Sequence, residues 1–116
     1  MDKVTSGTKI IEMEEIKAPH SVKAKDATDK WEQYLGGGIY SSMNPIKGND
    51  PDRIFSEDGS RCIRFSHSEM NTLNKDDTVK KFHYHEETWV YDPVKDIITI
   101  GNNLVRILYQ NKKKRQ

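Results

Sequence analysis

Cysteine is nearly absent: Cys62 stands alone in 116 residues, which excludes an internal disulfide and a cysteine-rich zinc module. Apolar residues are scarce as well, 34% against 32% charged. That is thin core material for one modest domain, so the chain ends are expected to be loosely ordered. No apolar run approaches the roughly 20 residues a membrane helix needs, and no membrane partner is expected. The opening "MDKVTSGTKIIEMEE" breaks its short apolar patch with acids and does not read as a secretory leader. Internal repeats are lacking too.

A dominant charge is also missing. The net charge is +1, but Lys112, Lys113, Lys114 and Arg115 all sit in the tail "NKKKRQ". The rest of the chain holds 15 basic against 18 acidic side chains. Such a body does not coat nucleic acid nonspecifically, although it leaves room for a local basic cleft. The tail reads as a solvated, frayed end.

What is present falls into two halves. Residues 1–25 show no sustained period, and "KAPHSVKAKD", broken by Pro19, reads as a linker. "DATDKWEQYL" (26–35) predicts a helix. Asp26 or Thr28 can cap it, Ala27, Trp31, Tyr34 and Leu35 share a face, and the glycines at 36–38 end it. Residues 39–60, rich in Pro, Gly, Asn and Asp, read as a long loop of the kind that often carries function. Beyond it, strands are expected near 61–67, 80–91, 96–100 and 104–110, with "DPVKD" and "GNN" as turns. The expected fold class is therefore α+β, an N-terminal helix packed on a four-stranded antiparallel sheet. The expected organisation is a linker at 1–25, a folded domain at 26–110 and a basic tail at 111–116.

The densest chemistry lies in "KKFHYHEETWVYD" (80–92). In a strand, Lys81, His83, His85, Glu87, Trp89 and Tyr91 line one side, expected to be the open face, and the more apolar Phe82, Tyr84, Thr88 and Val90 the other, expected to be the core face. Three readings compete. The cluster is a set of solvated cross-strand pairs, or His83 and His85 bind a metal with Glu87, or the histidines form an acid–base pair. The His-x-His spacing resembles that of cupins, but the carboxylate comes too early and the framing glycines are absent. The acid–base reading is preferred, because an imidazole with a pKa of about 6.5 is available in both forms near neutrality. Arg64 and Lys81 are expected beside it to hold phosphate, with Glu87 orienting a histidine. Arg53, Arg61, His67, Glu69 and Tyr91 are candidate substrate contacts. A base for the ribose 2′-OH, an acid for the 5′-oxygen and cations for the phosphoryl charge are the parts of a metal-free ribonuclease. Cys62 reads as a packing residue, as do Trp31 and Tyr34, and His20 falls in the linker.

The stretch "DKWEQYLGGGIYSSMNPIKGNDPDRIFSEDGSRCIRFSHSEMN", then "KFHYHEETWVYD" and "GNNLVRI", resembles the C-terminal toxin domains of bacterial polymorphic toxins, above all those of LXG-type exported proteins of Bacillus-like bacteria. The resemblance covers residues 30–107. It implies a nuclease toxin, several of its relatives being ribonucleases, on a small α+β fold that often works without metal and with no other cofactor. It also implies secretion, delivery into a target cell's cytoplasm and a cognate immunity protein as partner. It does not settle the substrate, since some relatives cut DNA, and RNA is expected from the acid–base reading. A metal-dependent DNase with His83 and His85 as ligands, and a non-catalytic interaction module, are the alternatives.

Overall fold

The computed structural model describes residues 4, 5, 7–65 and 83–108. Two strands, β1 (Lys9–Glu12) and β2 (Ile16–Lys23), run through the region expected to be a linker. A 3-10 turn at Ala24–Asp26 leads into α1 (Ala27–Leu35). Asp26 occupies the N-cap position without making a side-chain cap hydrogen bond, because the preceding turn brings the chain in already coiled. At the other end Gly36 takes φ 83°, a left-handed conformation that suits glycine, and its N–H bonds back to the Glu32 carbonyl. The 39–60 stretch is not one loop. It folds into a small hairpin, β3 (Met43–Asn44) with β4 (Gly48–Asn49), and a short strand β5 (Arg53–Phe55).

The other strands among the described residues are β6 (Arg61–Arg64), β7 (His83–Asp92) and β8 (Ile97–Leu108). The expected four-stranded antiparallel sheet is thereby corrected to a six-stranded mixed sheet. Its order is β1-β8-β7-β6-β5, with β2 continuing the β1 edge of β8. β1 pairs in parallel with Ile97–Ile100, and β2 in parallel along the other half of β8. Pro19 is tolerated in β2 because an edge strand does not owe every N–H to a neighbour. The two strands expected at 96–100 and 104–110 are one, since "GNN" is not a turn. A Cβ on Gly101 would lie 2.5 Å from the Thr88 hydroxyl on the paired strand, so this glycine serves close packing instead. The true turn is at 93–96, where the Asp92 carboxylate accepts the Val94 and Lys95 N–H groups.

Two small cores lie on opposite faces of the sheet. On one face α1 covers Ile63, Tyr84, Val105 and Ile107. Trp31 stacks on Phe65 at 5.1 Å and meets Tyr84 edge-on at 5.4 Å. On the other face Phe55, Cys62, Trp89, Ile98 and Ile100 pack together, joined by Ile46 of the hairpin and by Val4. No helix among the described residues is long and apolar enough to cross a membrane.

Candidate functional site

Pleating and register place the histidine cluster. Cys62 opposes Glu87, which opposes Asn102, and in the next row Arg64 opposes His85, which opposes Leu104. One row further on, His83 opposes Arg106. His83, His85, Glu87, Trp89 and Tyr91 thus share the face that also carries Arg53, Arg64, Asn102 and Arg106. That face is not fully open: His85 is 3% exposed and Glu87 1%. The hairpin and the second core cover its middle, leaving the His83 end less buried.

Glu87 is the hub of the covered part. Arg53 donates to both its oxygens, Nε to Oε1 at 2.9 Å and a terminal N–H to Oε2 at 3.2 Å. Arg64 Nε donates to Oε2 at 2.8 Å, and the Trp89 indole N–H to Oε1 at 2.9 Å. Burial would raise the Glu87 carboxyl. The donors from Arg53, Trp89 and Arg64 outweigh it and hold the group below the usual carboxylate range. Arg53 also bonds Asp50 at 3.1 Å and lies over the Trp89 ring at 5.3 Å, while Asp50 accepts from Asn44 of β3. Glu87 therefore ties the hairpin to the sheet, and the hydrogen bond that orients His85 comes from elsewhere.

That bond is to Asn102. His85 Nδ1 lies 2.8 Å from Asn102 Oδ1, so the ring donates there and its Nε2 keeps the lone pair. Glu15, from the bend between β1 and β2, lies 3.8 Å from the same Nδ1. Burial lowers the His85 pKa, the Arg64 guanidinium lowers it further, and the Asn102 bond opposes both only in part. The ring is neutral at pH 7. His83 meets it edge-on, with ring centroids 5.0 Å apart and planes at 87°.

The remaining candidates are dispersed. Arg61 is on the opposite face, where it bonds the Tyr34 carbonyl at 2.9 Å and covers the Tyr34 ring. Tyr91 sits toward the far end of β7 and donates to Asp96 at 2.9 Å. Lys81, His67 and Glu69 lie outside the described residues. Burial pushes the Cys62 thiol far above its ordinary pKa, in keeping with a packing role. No group of three or more His, Cys, Asp or Glu among the described residues is set to hold a metal ion. Sequence reasoning missed Asn102, Arg106 and Glu15. For the first two a signal existed: read as one strand, 97–108 puts Ile98, Ile100, Asn102, Leu104 and Arg106 on one side.

Comparison with known proteins found no matching family model, no matching curated protein and no matching solved structure.

Proposed function

We propose that the chain is a metal-independent ribonuclease, the toxin domain of a secreted polymorphic toxin that cuts RNA in the cytoplasm of a target cell. The observation that supports this reading best is the grouping of His83 and His85, in edge contact, with Arg64 and Arg106 in the same two rows of one sheet face. Environment separates the roles. His85, held neutral with Nδ1–H donated to Asn102, is the base, and the less buried His83 is the acid.

In the proposed step His85 takes the proton of a ribose 2′-OH and the 2′-oxygen attacks the adjacent phosphorus. The bond from phosphorus to the 5′-oxygen breaks, and protonated His83 gives that oxygen its proton. The products are a 2′,3′-cyclic phosphate and a free 5′-OH. Arg64, whose Nε is anchored on Glu87, and Arg106 offset the charge gathering on the phosphoryl oxygens. Lys81 belongs to the same proposal by its place in sequence.

A toxin of this kind requires an inhibitor in its producer, and an immunity protein covering the His83 end and the hairpin is the proposed partner. Co-expression of the neighbouring gene is expected to relieve toxicity and to yield a complex that co-purifies. A second reading, a non-catalytic interaction module, is favoured by the near-complete burial of His85 and by the use of Arg53 and Glu87 in internal bonds. Incubation with total RNA and with plasmid DNA, each with and without excess chelator, separates the readings. RNA cleavage that survives chelation is expected. Chelator-sensitive cutting of DNA points to the metal reading, and untouched substrates point to the module.

A further inference from the structure

A second polar cleft lies on the helix-covered side of the sheet, away from the histidine face. It measures about 280 Å³ and is lined by His20 of β2, Lys30, Gln33 and Tyr34 of α1, and Tyr84 and Glu86 of β7. Its size is just below the roughly 300–1,000 Å³ of sites that enclose drug-sized ligands, so it suits a single planar ring system with a small appendage.

Two features of this cleft are unexplained by folding. Glu86 sits half-buried on the helix side of a central strand, in the row between buried Ile63 and exposed Asn103, at the margin of the core that α1 covers. Its neighbour Glu87 receives bonds from two arginines and a tryptophan, whereas no described residue donates a hydrogen bond to the Glu86 carboxylate. Burial accordingly pushes the Glu86 carboxyl up, with His20 partly opposing. Beside it the Tyr84 hydroxyl is buried with no hydrogen-bond partner among the described residues. Both are costs of folding, and departures of this kind cluster where a chain binds something.

The side chains specify what would fit. A carboxylate with two free oxygens accepts best from two parallel N–H donors held in a plane. Lys30 and Gln33, three apart on α1, add an ammonium and an amide on the same side. An anion alone is repelled by Glu86, and a guanidinium or amidinium, which has the paired donors, is repelled by Lys30. A ligand with paired neutral donors at one end and a phosphate at the other satisfies both. Among nucleobases, guanine offers adjacent N1–H and N2–H donors on its Watson–Crick edge, whereas adenine offers a donor beside an acceptor. We propose that the cleft between α1, β2 and β7 binds a guanine nucleotide, with Glu86 on the base edge and Lys30 on the phosphate.

The proposal is independent of cleavage, and so is its test. The full chain is titrated with 5′-GMP, 5′-AMP and inorganic phosphate, and with short single-stranded DNA oligonucleotides carrying one guanine or one adenine among thymines. DNA lacks the 2′-OH that the proposed cleavage requires, so binding is read without turnover. Amide NMR shifts give affinity and location together. The guanine ligand is expected to bind at least tenfold more tightly than its adenine counterpart, with shifts centred on Tyr84, Glu86 and Lys30. Glu86→Gln, which preserves shape, is expected to remove that preference, and Lys30→Gln to weaken GMP and AMP alike. Tighter binding of GMP names a free nucleotide as the ligand, and tighter binding of the guanine oligonucleotide names a single strand. Equal affinity for guanine and adenine, shifts located elsewhere, or a Glu86→Gln variant that keeps the preference would overturn the proposal.

Discussion

Replacing Glu87 by glutamine probes the covered part of the histidine face. The change keeps size and shape but exchanges one acceptor oxygen for an NH₂ group that faces donors. Arg53, Arg64 and Trp89 then compete for a single oxygen, Arg64 loses the Glu87 charge and Arg53 keeps only that of Asp50, in a site where the Glu87 side chain is 2% exposed. Removing one partner of a buried ion pair costs about 3–5 kcal/mol. That is a large share of the roughly 5–15 kcal/mol of a whole domain. Because Arg64 is 29% exposed and partly rehydrated, the lower half of the range is expected. Thermal unfolding should drop by roughly 10–20 °C. The sign with pH follows from the lowered carboxyl: Glu87 stabilises the fold above its unfolded pKa of about 4.5, and this is lost as pH falls toward the native value. The Glu87→Gln variant should therefore lose part of the acid-induced fall in stability. Urea midpoints between pH 3 and 7 measure both effects. A variant within about 0.5 kcal/mol of the parent would refute the hub. So would a triple replacement of Arg53, Glu87 and Arg64 by apolar residues that proves worse than Glu87→Gln alone, since a well-packed apolar substitute for a buried ion pair is often neutral.

Other consequences are simpler to state. His85 has a lowered native pKa, so its neutral form stabilises the fold above the unfolded value of about 6.5, and stability should fall as pH drops below it; a His85→Gln variant should lack that slope. Asn102→Leu removes the acceptor for His85 Nδ1 and should cost about 1–3 kcal/mol, with ¹⁵N shifts showing loss of the fixed tautomer. Deleting residues 1–23 removes β1 and β2 and uncovers the edge of β8 and the contacts of buried Val22. The product should lose cooperative unfolding, whereas a true linker could be removed without effect.

The legible parts of this fold are those whose signal is local. The helix was marked by Ala27, Trp31, Tyr34 and Leu35 on one face and by Gly36 after it, and β7 by its aromatic and β-branched content. β1 and β2 were not legible, because their partner lies some 85 residues away and Ile10, Ile11, Met13 and Ile16 are left exposed. Exposed apolar residues on an edge strand leave no inside–outside pattern. β8 was split for a related reason: its buried residues are Ile98 and Ile100 on one face, then Val105 and Ile107 on the other, so its alternation changes phase at "GNN". The shared face of His83, His85 and Glu87 followed from period-two geometry alone, whereas Arg64 joins it through the register of β6 against β7. The division of labour within it did not, since Arg53 and Arg64 reach Glu87 across 34 and 23 residues.

The central claim is that His83 and His85 carry RNA cleavage, and single-turnover cleavage of a fluorescent oligoribonucleotide in excess chelator tests it most directly. Each of His83→Ala and His85→Ala is expected to slow the reaction by about 10²-fold or more. Circular dichroism of both variants should match the parent, and the parent should leave a 2′,3′-cyclic phosphate on its product. Intact RNA with the parent protein, or cleavage by both variants at the parental rate, would contradict the account.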